Sequence, residues 1–280
     1  MTGSDTTHAV GVAGTPTTVT AHPARWLRAA GHPPPGMTVL LDDFHAALAA
    51  ASGALPRPEL LPEALARACV EVLPVDGAGI SLLVAGRRTP LGASDPDAVE
   101  AERLQSTVGE GPCLSAHAEQ SPVVADEAAI RSRWPGYHDA LVTRTPIRAV
   151  ISLPLRDSSR GIGALDLYLA PPRAVTALSL SDALTISSEV STCLQIQDQL
   201  MRYRDDGPAW LDAPAAGRRS SVWQAVGMVH AALGVGVPQA LALLRARAFA
   251  DDSTLDDLAA RVLDHHVTAD ELALDPDTSR

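Results

Sequence analysis

Lysine is absent from this chain, and so is asparagine; all 22 basic residues are arginines. Both missing residues use AT-rich codons, so the bias points to a GC-rich bacterial genome. The absence also removes chemistry. A Walker phosphate loop needs its Lys, a Schiff base needs an amine, and a kinase site needs the Lys that anchors ATP. Aromatic residues make up only 3% of the sequence, so the core must be aliphatic, drawn from a hydrophobic share of 46%. Three cysteines, Cys69, Cys113 and Cys193, lie far apart. Without a CxxC pair there is neither a zinc ribbon nor a thioredoxin-like motif, and free thiols in a reducing compartment fit best. No apolar run approaches the length of about 18 residues that a membrane helix needs, and the N-terminus lacks the basic-then-apolar pattern of a signal peptide. A cytoplasmic protein without a membrane span is expected. GxSxG, HExxH and paired catalytic carboxylates are all missing, so no catalytic residue is assigned and no enzyme activity is expected. The nine histidines are scattered, and the one adjacent pair, His265 and His266, would point in different directions on a helix, so no metal site is expected.

What is present falls into segments. The length of 280 residues suits about two domains. Residues 1–36 are rich in Thr, Ala, Gly and Pro without any period, and are expected to be a disordered tail. Residues 37–205 open with two helical patterns, one through Val39, Leu40, Phe44 and Leu48 and one through Leu61, Leu65, Cys69 and Leu73. GAGISLLVAG and TPLGAS then predict two strands around a hairpin at Gly86–Arg88, with Pro90 marking the second as an edge strand or a strand start. DPDAVEAERLQST predicts a surface helix capped by Asp95, with Pro96 at its first position. A short helix follows VGEGPC, SPVVAD is a short strand, and WPGYHDALVTR a helix. IRAVISLPL and GIGALDLYLA are apolar strands joined by a turn. Leu178 to Arg204 predicts one long helix, which either packs on the sheet or pairs with a second copy. The expected class is α+β: an antiparallel sheet flanked by helices, followed by a small C-terminal three-helix bundle.

Residues 206–217 are expected to be a linker, 218–266 the bundle, and 267–280 an acidic tail. Val222, Val226, Val229 and Leu233 share one face of a first helix, which Gly234 and Gly236 end. Pro238 opens a second helix lined by Leu241, Leu244 and Ala248. Thr254 and Asp257 form a capping pattern for a third, with Leu255, Leu258, Ala259 and Val262 as its stripe. Apolar positions like these make core, so function must reside in the polar remainder: Arg218, Arg219, Gln224, Arg245, Arg247 and Arg261. Net charge is −11 overall, which argues against bulk attraction to nucleic acid, yet residues 217–266 hold five Arg and five acids and are the least acidic part. The arginines are either solvated faces or phosphate contacts, for which a planar guanidinium is well suited.

The run VWQAVGMV…LGV…QALALLRARAFA…LDDLAARVL resembles an ANTAR domain. The resemblance rests on Gln224, Ala225, Gly227, Ala240, Leu241, Leu244, Arg245 and Ala259 in order and spacing. It implies RNA binding: recognition of a two-hairpin leader transcript with hexanucleotide loops, and antitermination of transcription. Under it, Arg218, Arg219, Gln224, Arg245, Arg247 and Arg261 are the candidate RNA contacts. The chain departs from the family at Val226, where many members carry Lys, and that departure puts RNA affinity in question.

LQSTVGEGPCLSA, then PVVAD, RAVISLPL and GIGALDLY, resembles a GAF domain over roughly Leu60 to Met201. Such a domain implies an unknown small-molecule ligand held between sheet and helices; no cofactor can be named. Gly109, Glu110, Gly111, Pro112 and Cys113 form either a structural turn closing the pocket wall or part of a ligand or redox site. A helix start at Cys113 would lower its thiol pKa, whereas burial would make it inert. The combined resemblance implies a signal-responsive regulator, working as a homodimer because two hairpins call for two readers. The alternative is a protein-interaction module whose bundle no longer binds RNA.

Overall fold

The computed structural model describes residues 35–84, 87–157, 160–202 and 209–273. Most of the expected N-terminal tail lies outside these residues, as do 203–208 and the last seven; Pro35 and Gly36 already belong to the first helix.

Two helices, α1 (Pro35–Ala54) and α2 (Leu61–Val72), precede the sheet. Strands β1 (Gly77–Val84) and β2 (Arg87–Ala93) form a hairpin, and α3 (Pro96–Val108) and α4 (Pro112–Glu119) follow. Then come β3 (Val123–Ala125), α5 (Glu127–Arg133), α6 (Pro135–Arg144), β4 (Ala149–Asp157), β5 (Arg160–Leu169) and α7 (Leu180–Arg202). The sheet is antiparallel throughout, in the order β2-β1-β5-β4-β3. Strand β2 is an edge, where the missing N–H of Pro90 is tolerated. Helix α5 was not expected from the sequence; Asp126 caps it by accepting the Ala129 N–H at 2.8 Å.

Side-chain alternation divides the sheet into two faces. Ile151, Leu153, Leu155, Leu165, Leu167 and Leu169 pack under α1, α2 and α7. The opposite face, with Val150 and Tyr168, lies under α3, α5 and α6. Helix α3 begins where Asp95 accepts the Ala98 N–H at 3.0 Å. It ends at Gly109, whose φ of +82° is left-handed and whose N–H bonds the Gln105 carbonyl at 3.0 Å.

The C-terminal part is α8 (Pro214–Leu233), α9 (Val237–Ala250), α10 (Leu255–Leu263) and the short α11 (Ala269–Leu272). Val222, Val226, Val229, Ala240, Leu244, Ala248, Leu255, Leu258, Ala259 and Val262 share one buried core. Two details differ from the sequence reading. Helix α8 starts at Pro214, inside the expected linker, because Pro suits a first helical turn. Val267 and Leu272 of the expected acidic tail enter the bundle core, with α11 capped by Thr268 and Glu271. Val226 is 1% exposed and lies in the bundle core, on the face its spacing gave it. Among the described residues no single helix is long and apolar enough to cross a membrane.

Candidate functional site

The α3–α4 side of the sheet centre is polar where the other side is aliphatic. Ser81 of β1, Ser152 of β4, and Asp166 and Tyr168 of β5 all point there, and all are buried. Pairing places Ser152 opposite Asp166, and Gly79 beside Asp166 on the other flank. Arg88 of β2, Glu102, Gln105 and Ser106 of α3, and Cys113 at the start of α4 close over them.

Arg88 is 4% exposed and organises the cluster. Its Nε donates to Cys113 Sγ at 2.9 Å. Its Nη1 donates to the Glu102 carbonyl at 2.8 Å and to Ser106 Oγ at 2.9 Å. Its Nη2 pairs with the Glu102 carboxylate and lies 3.7 Å from Asp166 Oδ2. Tyr168 donates to Glu102 Oε1 at 2.6 Å, Gln105 Nε2 to Asp166 Oδ2 at 2.8 Å, and Ser152 Oγ to Asp166 Oδ1 at 2.5 Å. The Gln105 amide oxygen accepts the Cys113 backbone N–H at 3.0 Å. Buried charges persist only when paired and hydrogen-bonded, and here nearly every polar atom has a partner. The exception nearby is the Tyr137 hydroxyl, fully buried and unpartnered.

Asp166 shares the Arg88 guanidinium with Glu102. Burial, with Glu102 adding to it, pushes Asp166 up to about 7, against the pull of Arg88 and two hydrogen bonds. Burial alone would lower Arg88, but the groups around it, Cys113 and Glu102 foremost, outweigh it and hold the guanidinium charged. Cys113 goes opposite to the helix-start expectation: burial pushes its thiol up to about 12 and outweighs Arg88. Desolvation of a fully buried thiol is a larger effect than a helix N-terminus of two turns.

The GEGPC motif separates into five local tasks. Only Cys113 enters the cluster. Glu110 Oε1 accepts the Gly136 N–H at 3.1 Å, placing a carboxylate at the start of α6. Pro112 opens α4. Gly111 has φ +148°, and a Cβ there would sit 2.5 Å from Gln105 Oε1. A Cβ at Gly109 would sit 2.7 Å from Nη1 of Arg245, which belongs to the bundle.

The bundle is docked on this same corner. Arg219, 3% exposed, donates from Nε to the Arg88 carbonyl at 2.9 Å. Arg245 donates from Nε to the Ser106 carbonyl at 3.2 Å, capping the C-terminus of α3. The Leu255 N–H, at the open start of α10, donates to Thr107 Oγ1 at 2.9 Å. Arg103 donates to Thr254 Oγ1 at 2.5 Å and pairs with Asp257. Arg144 reaches the Asp252 carbonyl. Burial lowers Arg219 to about 10 and lowers Arg245 as well.

The six arginine and glutamine candidates therefore do not form one surface. Arg218 and Gln224 are exposed on α8. Arg247 and Arg261 both pair with Asp251, at 2.8 and 3.1 Å. Arg219 and Arg245 face the sheet domain. A signal for this was in the sequence: Arg219, Val222, Val226 and Val229 follow helical spacing, so Arg219 lies on the apolar stripe. Beside the dock runs a groove of about 740 Å³, lined among others by Leu91, Val99, Glu102, Arg103, Arg218 and Asp256. Its acids are already engaged: Asp256 with Arg103, Glu63 with Arg67, and Glu100 with Arg144.

A family model described as a GAF domain matches residues 54–195, which takes in the sheet, the cluster and most of α7. The C-terminal bundle lies beyond that match. No curated protein matches the chain. The chain is similar to the GAF domain of a phosphoenolpyruvate-protein phosphotransferase from Coxiella burnetii, at 13% identity and TM-score 0.42, over 60% of this chain and 97% of that one. It is also similar to the free methionine-R-sulfoxide reductase of Neisseria meningitidis, at 15% identity and TM-score 0.41, over 60% and 96% of the two chains. A domain of a sensor histidine kinase protein described as putative, from Sinorhizobium meliloti, is 20% identical with TM-score 0.36, over 60% and 97%.

Proposed function

The chain belongs to the GAF domain family, and from that premise we propose that it is a signal-responsive, RNA-binding regulator acting by transcription antitermination. In this reading the GAF domain senses a small molecule, and the C-terminal bundle binds a two-hairpin leader transcript. The protein is not an enzyme, works in the cytoplasm and acts as a homodimer. A small molecule is favoured over a redox signal because Cys113 is fully buried and its thiol is pushed up to about 12.

The observation that carries the reading is the separation of cores. The bundle has its own buried aliphatic cluster, and it meets the GAF domain through hydrogen bonds and ion pairs. A unit with its own core keeps its fold when a polar interface opens. Arg218 and Gln224 stand exposed on α8, where an RNA backbone has access to them. Helix α7 exposes Leu184 and Ile196, apolar side chains suited to a second copy.

The test is a gel shift with purified protein and a two-hairpin hexaloop RNA, at low and physiological salt, against a loop-scrambled control. Loop-dependent binding supports the reading; equal binding to both RNAs, or none, removes it. A second reading, in which the bundle docks a protein partner, is favoured by two observations. Arg219 and Arg245 are held by GAF carbonyls, and Phe249 and Met228 are exposed apolar side chains of the bundle, at 57% and 36%.

A further inference from the structure

Arg88 and Ser106 each face two ways. The Arg88 side chain is the centre of the buried cluster, while its backbone carbonyl holds Arg219 of the bundle. The Ser106 hydroxyl accepts from Arg88 inside the cluster, while its carbonyl holds Arg245. Two of the bundle's anchoring arginines are thus attached to the main chain of residues whose side chains belong to the GAF interior. We propose that Arg88 and Ser106 form a relay through which the state of the buried cluster sets whether the C-terminal bundle is docked or released. The relay rests on the sensing half of the proposed function and is independent of RNA binding.

Several features suit this role. Both carbonyls lie near an end of their element, Arg88 at the second residue of β2 and Ser106 two residues before the end of α3. Strand β2 is the sheet edge, so a residue there shifts without breaking a second ladder. Ser106 lies in the last turn of α3, where carbonyls have no partner within the helix. Arg88 is fixed by four acceptors spread over α3 and α4: Cys113 Sγ, the Glu102 carbonyl, Ser106 Oγ and the Glu102 carboxylate. A planar guanidinium cannot trade one of these partners without turning against the others. Anything that draws Arg88 from Glu102, such as an anionic small molecule entering the cluster, therefore moves the residue whose carbonyl anchors α8.

The structure also shows what docking requires. Gly109 follows α3 in a left-handed turn, and the Arg245 guanidinium occupies the space a Cβ would fill. The docked bundle covers Arg219 and Arg245 and leaves Arg218 and Gln224 exposed. Docked and released states thus present different guanidinium sets to any partner. The two states, and the contacts that distinguish them, are what a coupling between sites requires.

The Leu255 amide gives a direct readout. It sits at the first position of α10, where the helix supplies no acceptor, and its partner Thr107 Oγ1 belongs to the GAF domain. Residue-resolved hydrogen exchange on the full chain compares wild type with Glu102→Gln and Ser106→Ala, neither of which alters an atom of the bundle. Thr107→Ala sets the unprotected rate, and the Arg219→Ala/Arg245→Ala double variant reports direct undocking. The relay predicts that Glu102→Gln and Ser106→Ala each speed Leu255 exchange by about tenfold or more, while the Val229 amide in the bundle core and the Ile151 amide in the sheet keep their wild-type protection. Wild-type protection of Leu255 in Ser106→Ala, alongside loss in the double arginine variant, would show that cluster and dock are independent and would overturn the proposal. Ser106→Ala removes a single hydroxyl, so it decides the matter even if Glu102→Gln fails to fold. The gel shift with RNA does not bear on this outcome.

Discussion

The guanidinium of Arg245 occupies the place where residue 109 would carry a side chain: a Cβ on Gly109 would meet Arg245 Nη1 at 2.7 Å. One backbone position in the GAF domain thus makes room for one arginine of the C-terminal bundle. The glycine is also required by its φ of +82°, which an L-residue adopts at a cost of about 1–2 kcal/mol.

These two penalties can be separated. Gly109→Ala is expected to destabilise the chain in urea unfolding by more than the backbone penalty alone. Combining it with Arg245→Ala removes the collision, so the double variant should be less destabilised than the two single changes added together. Strict additivity would mean that Arg245 is not held against this turn.

Asp166 should give the protein a pH-dependent stability of unusual sign for a carboxylate. The folded chain keeps this proton up to about pH 7, whereas the unfolded chain releases it near 3.8. Between those values the folded state binds the extra proton, so the residue's contribution to stability falls as pH rises from about 4 to about 7, and is level above that. Asn at this position can still accept from Gln105 and donate to Ser152. Urea midpoints at pH 5, 6 and 8 should therefore show Asp166→Asn gaining on wild type as pH rises. Parallel curves would place an ionised Asp166 in the fold across the whole range.

Thiol labelling ranks the cysteines. Cys69 and Cys113 are fully buried; burial pushes the Cys69 thiol up beyond any working range and the Cys113 thiol up to about 12. Cys193 on α7 is half-buried and raised to about 11. Alkylation at pH 8 followed by mass spectrometry should modify Cys193 first and leave Cys113 untouched until the chain unfolds. Rapid native labelling of Cys113 would restore the redox reading of its motif.

Much of the fold was legible because local rules and burial agree. The Asp95 and Thr254 caps, the Pro90 edge strand and the alternating β4 and β5 strands all stand where pattern and turn chemistry put them. The site was harder to see. Arg88 sits beside a hairpin turn, where an arginine is ordinarily solvated, and its burial depends on acceptors from α3 and α4 that no local window contains. Asp166 and Tyr168 did leave a trace: polar residues two apart, on one face of an otherwise apolar strand. The spacing of Arg219 marks it for burial but names no partner, and Arg245 looked like surface charge because sequence periodicity describes a helix within its own bundle. Their partners belong to another domain, more than a hundred residues away in the chain.

The most direct test of the proposed function is the affinity for the two-hairpin RNA as a function of salt, for wild type, Arg218→Ala and Gln224→Ala. Both side chains are exposed, so both variants should melt as wild type does. The account predicts loop-dependent binding that weakens steeply with salt, a slope shallower by about one unit for Arg218→Ala, and weaker binding with an unchanged slope for Gln224→Ala. Equal affinity of all three proteins for intact and loop-scrambled RNA would contradict it.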